Sequence, residues 1–412
     1  MGAKKRICLI TPGHLCNCPR LLKEADALYR AGYEVHIVAT SYQAFLKKSD
    51  EIIINSHPEW YIHTKYWGQN SRGMGYEGYL YGLLKAINRA FAFRSFYPVL
   101  LNRHFHWQLK QAIAVEADLY IAHSAASIAV AAKAAEAHQS LFAFDAEDFH
   151  SGEDLSAEIL AWVNEVQQQY LRKAVYLTVA SPLIAEAYQH DLGRKDIVSI
   201  LNVFPKNDET FRTKKQSEAL KLFWFSQNIG KGRGLEWVLE ALQGKSSGEV
   251  ELHLLGNLRS AEALYFEKLI SKYQLAKGMV CFHEALPEHE LLNLAKTFDV
   301  GLSLEIGKPL NRELCLNNKI FVYLQAGLGI IATDTRAQNA FFEDKKDGVA
   351  ILSLAQPEQL GSILLQLIAE PEKVEAMRSF NHELAKRTYN WEKEQVKLIN
   401  IVAKCLQEKS LS

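Results

Sequence analysis

The stretch GKGRG, residues 230–234, places Lys231 and Arg233 among three glycines. The residues before it, LKLFWF, predict a buried strand, and those after it, LEWVLEALQ, predict a helix because their apolar residues recur at helical spacing. A turn from strand to helix presents backbone N–H groups and the positive end of a helix, which together suit an anion. The stretch fits neither G-x-x-x-x-G-K-[ST] nor G-x-G-x-x-G, and a plain tight turn is the alternative.

A second group of reactive side chains lies in DAEDFHSGED, which follows the predicted strand LFAFDA. Asp145, Glu147, Asp148 and His150 are of types that accept protons or orient a hydroxyl group. Capping of the following helix is the alternative for Asp148, Ser151 and Asp154. His123 ends another predicted strand, DLYIAH, and is either a site residue or a buried structural histidine.

The elements that position these loops form two series. Strand-like and helix-like segments alternate from RICLIT to DIVSILN and again from LKLFWF to GIIATD. This alternation predicts βαβ units and parallel sheets. The polar stretch NVFPKNDETFRTKKQSEA separates the series and predicts a domain boundary near residues 204–218. In such sheets ligands bind beyond the carboxyl ends of the strands, which is where the reactive loops fall.

Length and composition agree with two domains. The chain has 412 residues, more than one hydrophobic core usually supports. Its 47 basic and 47 acidic residues cancel, so bulk charge gives no reason to expect a nucleic-acid partner. The basic amino terminus lacks the long apolar run of a signal peptide, and a cytoplasmic protein is expected.

The six cysteines are scattered along the chain, which favours reduced thiols. Cys16 and Cys18 have no second Cys or His pair at ligand spacing, and no metal site is predicted.

Taken together, the motifs resemble the GT-B glycosyltransferases, most closely the retaining family 4. The similarity covers TPGHLCNCPRLLKEADALYRAGYEVHIVAT, LNVFP, SQNIGKGRGLEWVLEAL, ELHLLGN, NNKIFVYLQAGLGIIATD and YNWEKEQVKLINIV. The resemblance implies an α/β protein with two Rossmann-like, doubly wound parallel-sheet domains facing across a cleft. The first domain spans residues 1–204, a linker 205–218, the second domain 219–386, and a helix at 387–412 packs back on the first domain.

The resemblance also implies a reaction in which a nucleotide-diphosphate sugar is a substrate and no metal or cofactor is needed. Glu147, Arg233, Lys319 and Glu305 are the expected catalytic residues. The expected donor-binding residues are Gly13, His14, Gln227, Gly230, Lys231, Gly232, Gly256, Asn257, Asn318 and Tyr323. The residues expected on the acceptor side are Asp145, His150 and His123.

Three positions depart from the family pattern. Val322 stands where a glutamate usually binds the nucleotide ribose, and Gln227 stands where an arginine is usual. Glu147 occupies the position of a histidine in relatives. Glu305 and Glu313 have the family spacing of two glutamates but lie nine residues upstream of that register. Either the loop is remodelled, or other groups such as Asn318 hold the ribose.

Residues 87–110, INRAFAFRSFYPVLLNRHFHWQLK, mix aromatic and basic side chains. Such a segment can lie in a membrane interface, and the alternative is a helix pair that covers the core. We therefore expect a cytoplasmic glycosyltransferase, with a peripheral contact at the inner membrane face as one reading, that transfers sugar to a saccharide or lipid-linked acceptor. The alternatives are a nucleotide-sugar 2-epimerase of the same fold and a two-domain binding protein without catalysis.

Overall fold

The computed structural model describes residues 4–68, 74–206, 211 and 219–411, apart from the side chains of 74–77, 288, 289, 410 and 411. The chain divides into two compact units. The first comprises Met1–Ile200 with Gln395–Ser412, and the second comprises Leu201–Glu394. Most of the predicted linker, residues 205–218, lies outside the described residues.

The described residues of the first unit form a seven-stranded parallel sheet in the order β3-β2-β1-β4-β5-β6-β7. Its strands are β1 (Arg6–Ile10), β2 (Glu34–Ser41), β3 (Tyr61–Tyr66), β4 (Leu119–His123), β5 (Leu141–Ala146), β6 (Leu177–Val179) and β7 (Ile197–Ser199). Its helices are α1 (Pro19–Arg30), α2 (Lys47–Ser56), α3 (Met74–Phe91), α4 (Tyr97–Leu101), α5 (Phe105–Val115), α6 (Ile128–Ala137), α7 (Ala157–Tyr170) and α8 (Pro182–Leu192).

The described residues of the second unit form a six-stranded parallel sheet in the order β10-β9-β8-β11-β12-β13. Its strands are β8 (Leu220–Asn228), β9 (Val250–Asn257), β10 (Val280–His283), β11 (Val300–Ser303), β12 (Gly329–Thr333) and β13 (Val349–Leu352). Its helices are α9 (Leu235–Ala241), α10 (Ser260–Lys272), α11 (Glu288–Ala295), α12 (Leu310–Leu314), α13 (Asn318–Ala326), α14 (Arg336–Phe342), α15 (Leu360–Ala369) and α16 (Pro371–Arg387). A last helix, α17 (Trp391–Leu411), begins in this unit and belongs to the first unit from Gln395 onward.

Both sheets have the burial expected of parallel sheets covered on two faces. Every residue of β4 and of β12 is buried, so these central strands are apolar on both sides and show no alternation with polar residues. The crossover helices supply the covering layers, and this arrangement confirms the predicted doubly wound architecture. No helix among the described residues is both long and apolar enough to cross a membrane.

Candidate functional site

The glycine-rich turn, residues 230–234, connects β8 to α9 as the sequence predicts. Gly234 has a φ of +75°, and a Cβ atom there would lie 2.6 Å from the Cβ of Leu304. Gly232 also has positive φ, +66°. These conformations favour glycine, and Gly234 additionally lets the turn pack closely against the residue after β11.

Two features of the turn differ from a ready-made phosphate loop. The N–H of Gly232 donates a hydrogen bond to Glu236 Oε1 at 3.0 Å, and the ammonium of Lys231 lies 4.3 Å from the centre of the Tyr265 ring. The helix that follows has only seven residues, so its end contributes little dipole charge. The capacity of this turn for an anion therefore depends mainly on Arg233.

Arg233 is only partly exposed and lies close enough to Arg312 and Glu305 to interact with both charges. Burial and the like charge of Arg312 lower the pKa of Arg233, while Glu305 opposes them. Neither arginine makes an ion pair or hydrogen bond through its guanidinium with a described residue. Two neighbouring cations without carboxylate partners of their own form a local excess of positive charge.

Glu305 follows β11 and is buried beside Lys319 and Asn317. Its Oε1 lies 3.1 Å from Lys319 Nζ and accepts a hydrogen bond of 3.3 Å from Asn317 Nδ2. Burial raises the pKa of Glu305, but Lys319, Arg312 and Arg233 outweigh burial, so the net pKa is below its usual value. Glu305 is therefore an ionised carboxylate in a fixed position, and most of the charge of Lys319 is neutralised. This pairing departs from the expectation that Lys319 is a free cation for phosphate.

Asn317 also caps α13, because its Oδ1 accepts from the N–H of Ile320 at 3.3 Å. The same side chain therefore starts the helix that carries Lys319 and contacts Glu305.

Tyr323 lies in the core and not at a ligand-facing position. Its hydroxyl donates to the carbonyl of Leu302 at 3.1 Å, and its ring occupies the space beside Gly301. Tyr323 is 0% exposed, and its ring packs against Phe223 and Phe225, so it is a structural residue of the core. Asn318 accepts a 3.0 Å hydrogen bond from the side chain of Asn202 through its Oδ1.

The remaining expected donor residues of the second unit lie at or just beyond the carboxyl ends of β8 and β9. Gln227 and Asn257 are exposed, and Gly230 is partly exposed. Gly256 has a φ of +152°, and a Cβ atom there would lie 2.3 Å from the carbonyl oxygen of Ser226. Glycine is required at this position because the two strand ends approach closely.

Val322 and Glu313, the two positions that bear on binding of the nucleotide ribose, both have structural roles. Val322 is buried in α13. Glu313 accepts from the backbone N–H of Arg336 at 2.9 Å and lies against Gly307, so it caps the start of α14. The carboxylate of Glu313 is thus already used by the first N–H of α14.

In the first unit, His14 is buried and both of its ring nitrogens are engaged. Nδ1 lies 2.6 Å from Asp50 Oδ2, and Nε2 accepts from the backbone N–H groups of Tyr42 and Gln43, each at 2.9 Å. This pattern requires the tautomer that carries its proton on Nδ1. The sequence predicts His14 as a donor contact, but in the structure its ring joins the loop after β1 to α2 and to the segment after β2. Gly13 next to it has open space around its Cα.

Asp145 and His123 belong to a buried polar cluster. Arg20 donates to both carboxylate oxygens of Asp145, at 2.6 and 2.7 Å, and Thr178 donates to the same carboxylate at 2.6 Å. His123 lies with Nδ1 3.4 Å from Asp145 and Nε2 3.5 Å from Glu24. Both side chains were expected on the acceptor side, but their polar atoms face this interior cluster.

Glu147 follows β5 and is partly buried. Burial, and after it the neighbouring carboxylate of Asp148, raise the pKa of Glu147. Burial disfavours the imidazolium of His150, but the hydrogen bond of Nδ1 with Glu153 and the charge of that carboxylate outweigh burial, so the net pKa of His150 is raised. Of the predicted acceptor-side group, Glu147 has the environment that best suits contact with a hydroxyl group.

His14, Cys16 and Asp50 each place one potential metal-ligand atom within 4.8 Å of the others. Both nitrogens of His14 are already used, and burial, with Asp50 nearby, raises the pKa of Cys16 to about 12. A neutral thiol is a poor metal ligand, so this group fits a structural role better than a metal site.

The residues that sequence reasoning missed are Arg20, Glu24, Arg312 and Asn317. Glu24 carried a recognisable signal, because it lies between Leu21 and Leu28 at helical spacing and therefore on the apolar face of α1. Arg312 carried none, since its importance depends on its closeness to Arg233.

No family model matches this sequence, and no curated protein matches it. Solved structures do match. HepE of Anabaena, determined in complex with UDP, has a TM-score of 0.69 at 14% identity, over 97% of this chain and 100% of that chain. Sucrose-phosphate synthase of Thermosynechococcus elongatus has a TM-score of 0.66 at 14% identity, over 98% and 100%.

A putative UDP-N-acetylglucosamine 2-epimerase of Listeria monocytogenes has a TM-score of 0.60 at 11% identity, over 99% of this chain and 98% of that chain. At such identities the likeness establishes the fold. The chain has the GT-B fold, built from two parallel-sheet units.

Proposed function

We propose that this GT-B chain is a glycosyltransferase that moves a sugar from a nucleotide-diphosphate sugar to a saccharide or lipid-linked acceptor. The observation that carries the proposal is the pair Arg233 and Arg312, which lie near each other without carboxylate partners of their own among the described residues. An anion with two or more charges relieves such repulsion. A diphosphate fits this requirement, and guanidinium groups can bind it through paired N–H donors.

The chemistry of sugar transfer also requires positive charge near the diphosphate. When the bond between the anomeric carbon and the diphosphate oxygen breaks, negative charge grows on that oxygen. Arg233 and Arg312 supply fixed positive charge for it, so the reaction has no need of a metal ion. The anomeric carbon bonds to the acceptor oxygen, and the acceptor proton passes to the departing diphosphate. We propose retention of configuration, because an acceptor whose proton passes to the departing diphosphate attacks the anomeric carbon from the face that the diphosphate leaves, and this path needs no strong protein base.

Glu305 is proposed to accept hydrogen bonds from hydroxyl groups of the transferred sugar. It is ionised and held by Lys319 and Asn317, so its orientation is set before the sugar arrives. The role of Lys319 is then to position Glu305. Arg233 is proposed as the main phosphate contact. Lys231, Gln227, Gly230, Gly232, Gly256, Asn257 and Asn318 remain proposed donor contacts.

Glu147 is proposed to orient the acceptor hydroxyl. Burial, and after it the carboxylate of Asp148, raise the pKa of Glu147, an environment in which a carboxylate gains from a hydrogen bond donated by a hydroxyl group. Gly13 remains a proposed donor contact, and His150 remains a proposed acceptor-side residue.

Peripheral membrane contact through residues 87–110 is a separate proposal. Phe91 and Phe93 are 69% and 46% exposed and offer apolar surface to a bilayer. Arg89 and Arg94 lie within ion-pair distance of glutamates in α7, which reduces their attraction to anionic lipid. Phe91→Ser combined with Phe93→Ser should therefore weaken sedimentation with phosphatidylglycerol vesicles more than charge reversal at Arg89 does. Unchanged sedimentation in the double variant would remove the proposal.

The experiment that tests the function is an acceptor-dependence assay. Each nucleotide sugar is incubated with the protein with and without saccharide or lipid-linked acceptors, and nucleoside diphosphate and glycosylated product are measured. Product that requires an acceptor supports transfer. Nucleoside diphosphate released without acceptor, together with an epimerised sugar, would support the 2-epimerase alternative. Binding without any turnover would support a binding protein.

A further inference from the structure

Glu24 on α1 is a carboxyl group without exposure and without hydrogen bonds. Its relative exposure is 0%, and neither Oε1 nor Oε2 has a hydrogen-bond partner among the described residues. The nearest cationic atoms are Arg20 Nε, 3.6 Å from Oε1, and His123 Nε2, 3.5 Å from Oε2. An ionised carboxylate in these surroundings would lack the hydrogen bonds that normally accompany a buried charge.

Arg20 lies within ion-pair distance of Glu24 but forms no hydrogen bond with it, and its recorded hydrogen bonds go to other groups. Nε and Nη2 donate to the two oxygens of Asp145, and Nη1 donates to the carbonyl of Ile200 at 2.7 Å. The charges of Arg20 and Asp145 therefore balance each other. The charge of Glu24 must be balanced by His123 or removed by a proton.

His123 completes the cluster. Its Nδ1 lies 3.4 Å from Asp145 Oδ2, and its Nε2 has no hydrogen-bond partner while facing Glu24. Protonated Glu24 beside neutral His123 and ionised Glu24 beside cationic His123 contain the same number of protons. Either arrangement leaves the cluster electrically neutral, and loss of the shared proton would leave one buried negative charge.

We infer that Glu24 and His123 form a buried proton-holding site, in which one exchangeable proton resides on Glu24 Oε2 or on His123 Nε2 and is retained at neutral pH. The proton moves between these two atoms without any change in the net charge of the cluster. Neither atom needs to exchange with solvent for this transfer.

The ionisation behaviour agrees with this inference. Burial, helped by Asp145, raises the pKa of Glu24 to about 7. Burial opposes the imidazolium of His123, but Glu24 and Asp145 outweigh it and raise its pKa. The charged and titratable groups that face Glu24 come from α1, β4, β5 and the segment before β6: Arg20, Lys23, His123, Asp145 and Tyr176.

A proton fits this cluster better than a metal ion. Glu24, His123 and Asp145 each place one potential ligand atom within 4.8 Å of the others. However, the carboxylate of Asp145 is occupied by Arg20 and Thr178, and the guanidinium of Arg20 would repel a second cation so close to Glu24.

The site has a consequence for the acceptor side that rests on the proposed function. Arg20 also interacts electrostatically with Glu147. Loss of the shared proton would add negative charge to the group that includes Arg20, and we expect the proton affinity of Glu147 to rise in response. Glu24 and His123 are in this sense positioning residues and not substrate contacts.

The test is Glu24→Gln, whose side chain resembles the protonated acid and cannot release a proton. Both pKa values are raised by folding. The folded pair therefore holds one shared proton, whereas in the unfolded chain Glu releases its proton above about pH 4.3 and His above about 6.5, so wild-type stability should fall as pH rises through neutrality. The stability of Glu24→Gln relative to the wild type should therefore increase as pH rises across this range. Relative to the wild type, the ratio of folded to unfolded Glu24→Gln should rise by up to tenfold per pH unit, because the variant does not have the one shared proton to release.

Unfolding of the full chain in urea, measured from pH 5 to pH 8.5, gives this comparison without any assay of sugar transfer. It therefore remains valid if the proposed function fails. Glu186→Gln, at an exposed position of α8, is the matched control and should run parallel to the wild type. Parallel curves for Glu24→Gln and the wild type would overturn the inference. It would also be overturned if Glu24→Gln and Glu24→Met both failed to fold while Glu24→Asp folded, because an ionised carboxylate would then be required.

Discussion

The ammonium of Lys319 lies 3.1 Å from Glu305 Oε1, and both side chains are nearly enclosed in the second unit, with 11% and 9% of their side-chain surfaces exposed. Removal of one partner leaves the other charge buried without compensation. We predict that Lys319→Ala lowers the free energy of unfolding by about 3–5 kcal/mol, measured by urea denaturation.

Glu305→Gln should restore part of this loss when combined with Lys319→Ala, because the double variant no longer buries an unpaired carboxylate. Additive losses in the double-mutant cycle would show that the two side chains do not stabilise each other.

Arg312 is predicted to bind the donor through its charge. Arg312→Ala should weaken binding of a nucleoside diphosphate by roughly ten- to a hundredfold, because a charge-assisted hydrogen bond contributes about 1.5–3 kcal/mol. Arg336→Ala is the matched control, since Arg336 is an exposed arginine of the same unit. Isothermal titration calorimetry at low salt measures both. Equal affinities of the two variants would exclude Arg312 from the site.

Glu147 is predicted to act on the acceptor and not on the donor. Glu147→Gln should lower kcat by roughly ten- to a thousandfold, in the range of a lost proton-accepting or orienting group, with donor affinity nearly unchanged. Glu186→Gln again serves as the control. A loss of donor affinity as large as the loss of kcat would place Glu147 among the donor contacts, and an unchanged rate would return it to a structural role.

Two pairs of histidines occupy equivalent places in the two sheets. His36 and His63 lie on β2 and β3 with their nitrogens 3.2 Å apart, and His253 and His283 lie on β9 and β10 at 3.0 Å. In both pairs a glutamate two residues before the first histidine lies within 3.1 Å of its other nitrogen.

Burial lowers the pKa of His253 and of His283, and each pair requires one neutral acceptor nitrogen. The unfolded chain therefore binds protons more readily, and stability should fall as pH drops below about 6.5. His283→Gln should flatten this part of the curve of unfolding free energy against pH. His190→Gln, at an exposed histidine, should leave the slope unchanged. A slope in His283→Gln as steep as that of the wild type would contradict the assignment.

The fold was accessible from the sequence for a physical reason. The strands of a parallel sheet are continuous apolar runs, and the helices between them repeat their apolar residues every three to four positions, so β8, α9 and β12 are visible in the letters alone. The glycines of the turn at 230–234 were informative for a similar reason, because positive φ restricts the residue type locally.

The candidate site was accessible only in part, because burial and pairing depend on contacts between distant segments. His14, Asp145 and Tyr323 have the side chains of binding residues, but their partners come from α2, α1 and β11 respectively. Arg312 is the opposite case, because nothing in the sequence around it indicates a binding residue. Its proposed role depends on the closeness of Arg312 to Arg233 in the glycine-rich turn.

We propose that Arg233 holds the diphosphate of a nucleotide sugar more tightly as the glycosidic bond breaks. The decisive measurement is acceptor-dependent sugar transfer by wild-type protein, Arg233→Ala and Arg233→Lys, with the preferred nucleotide identified beforehand by a thermal-shift panel of UDP, GDP, dTDP and CMP. We predict that Arg233→Ala lowers kcat by roughly ten- to a few hundredfold with a smaller loss of donor affinity, and that Arg233→Lys recovers only part because it loses the planar fork. Folded Arg233→Ala with full activity, or wild-type protein that binds none of the nucleotides, would contradict the account.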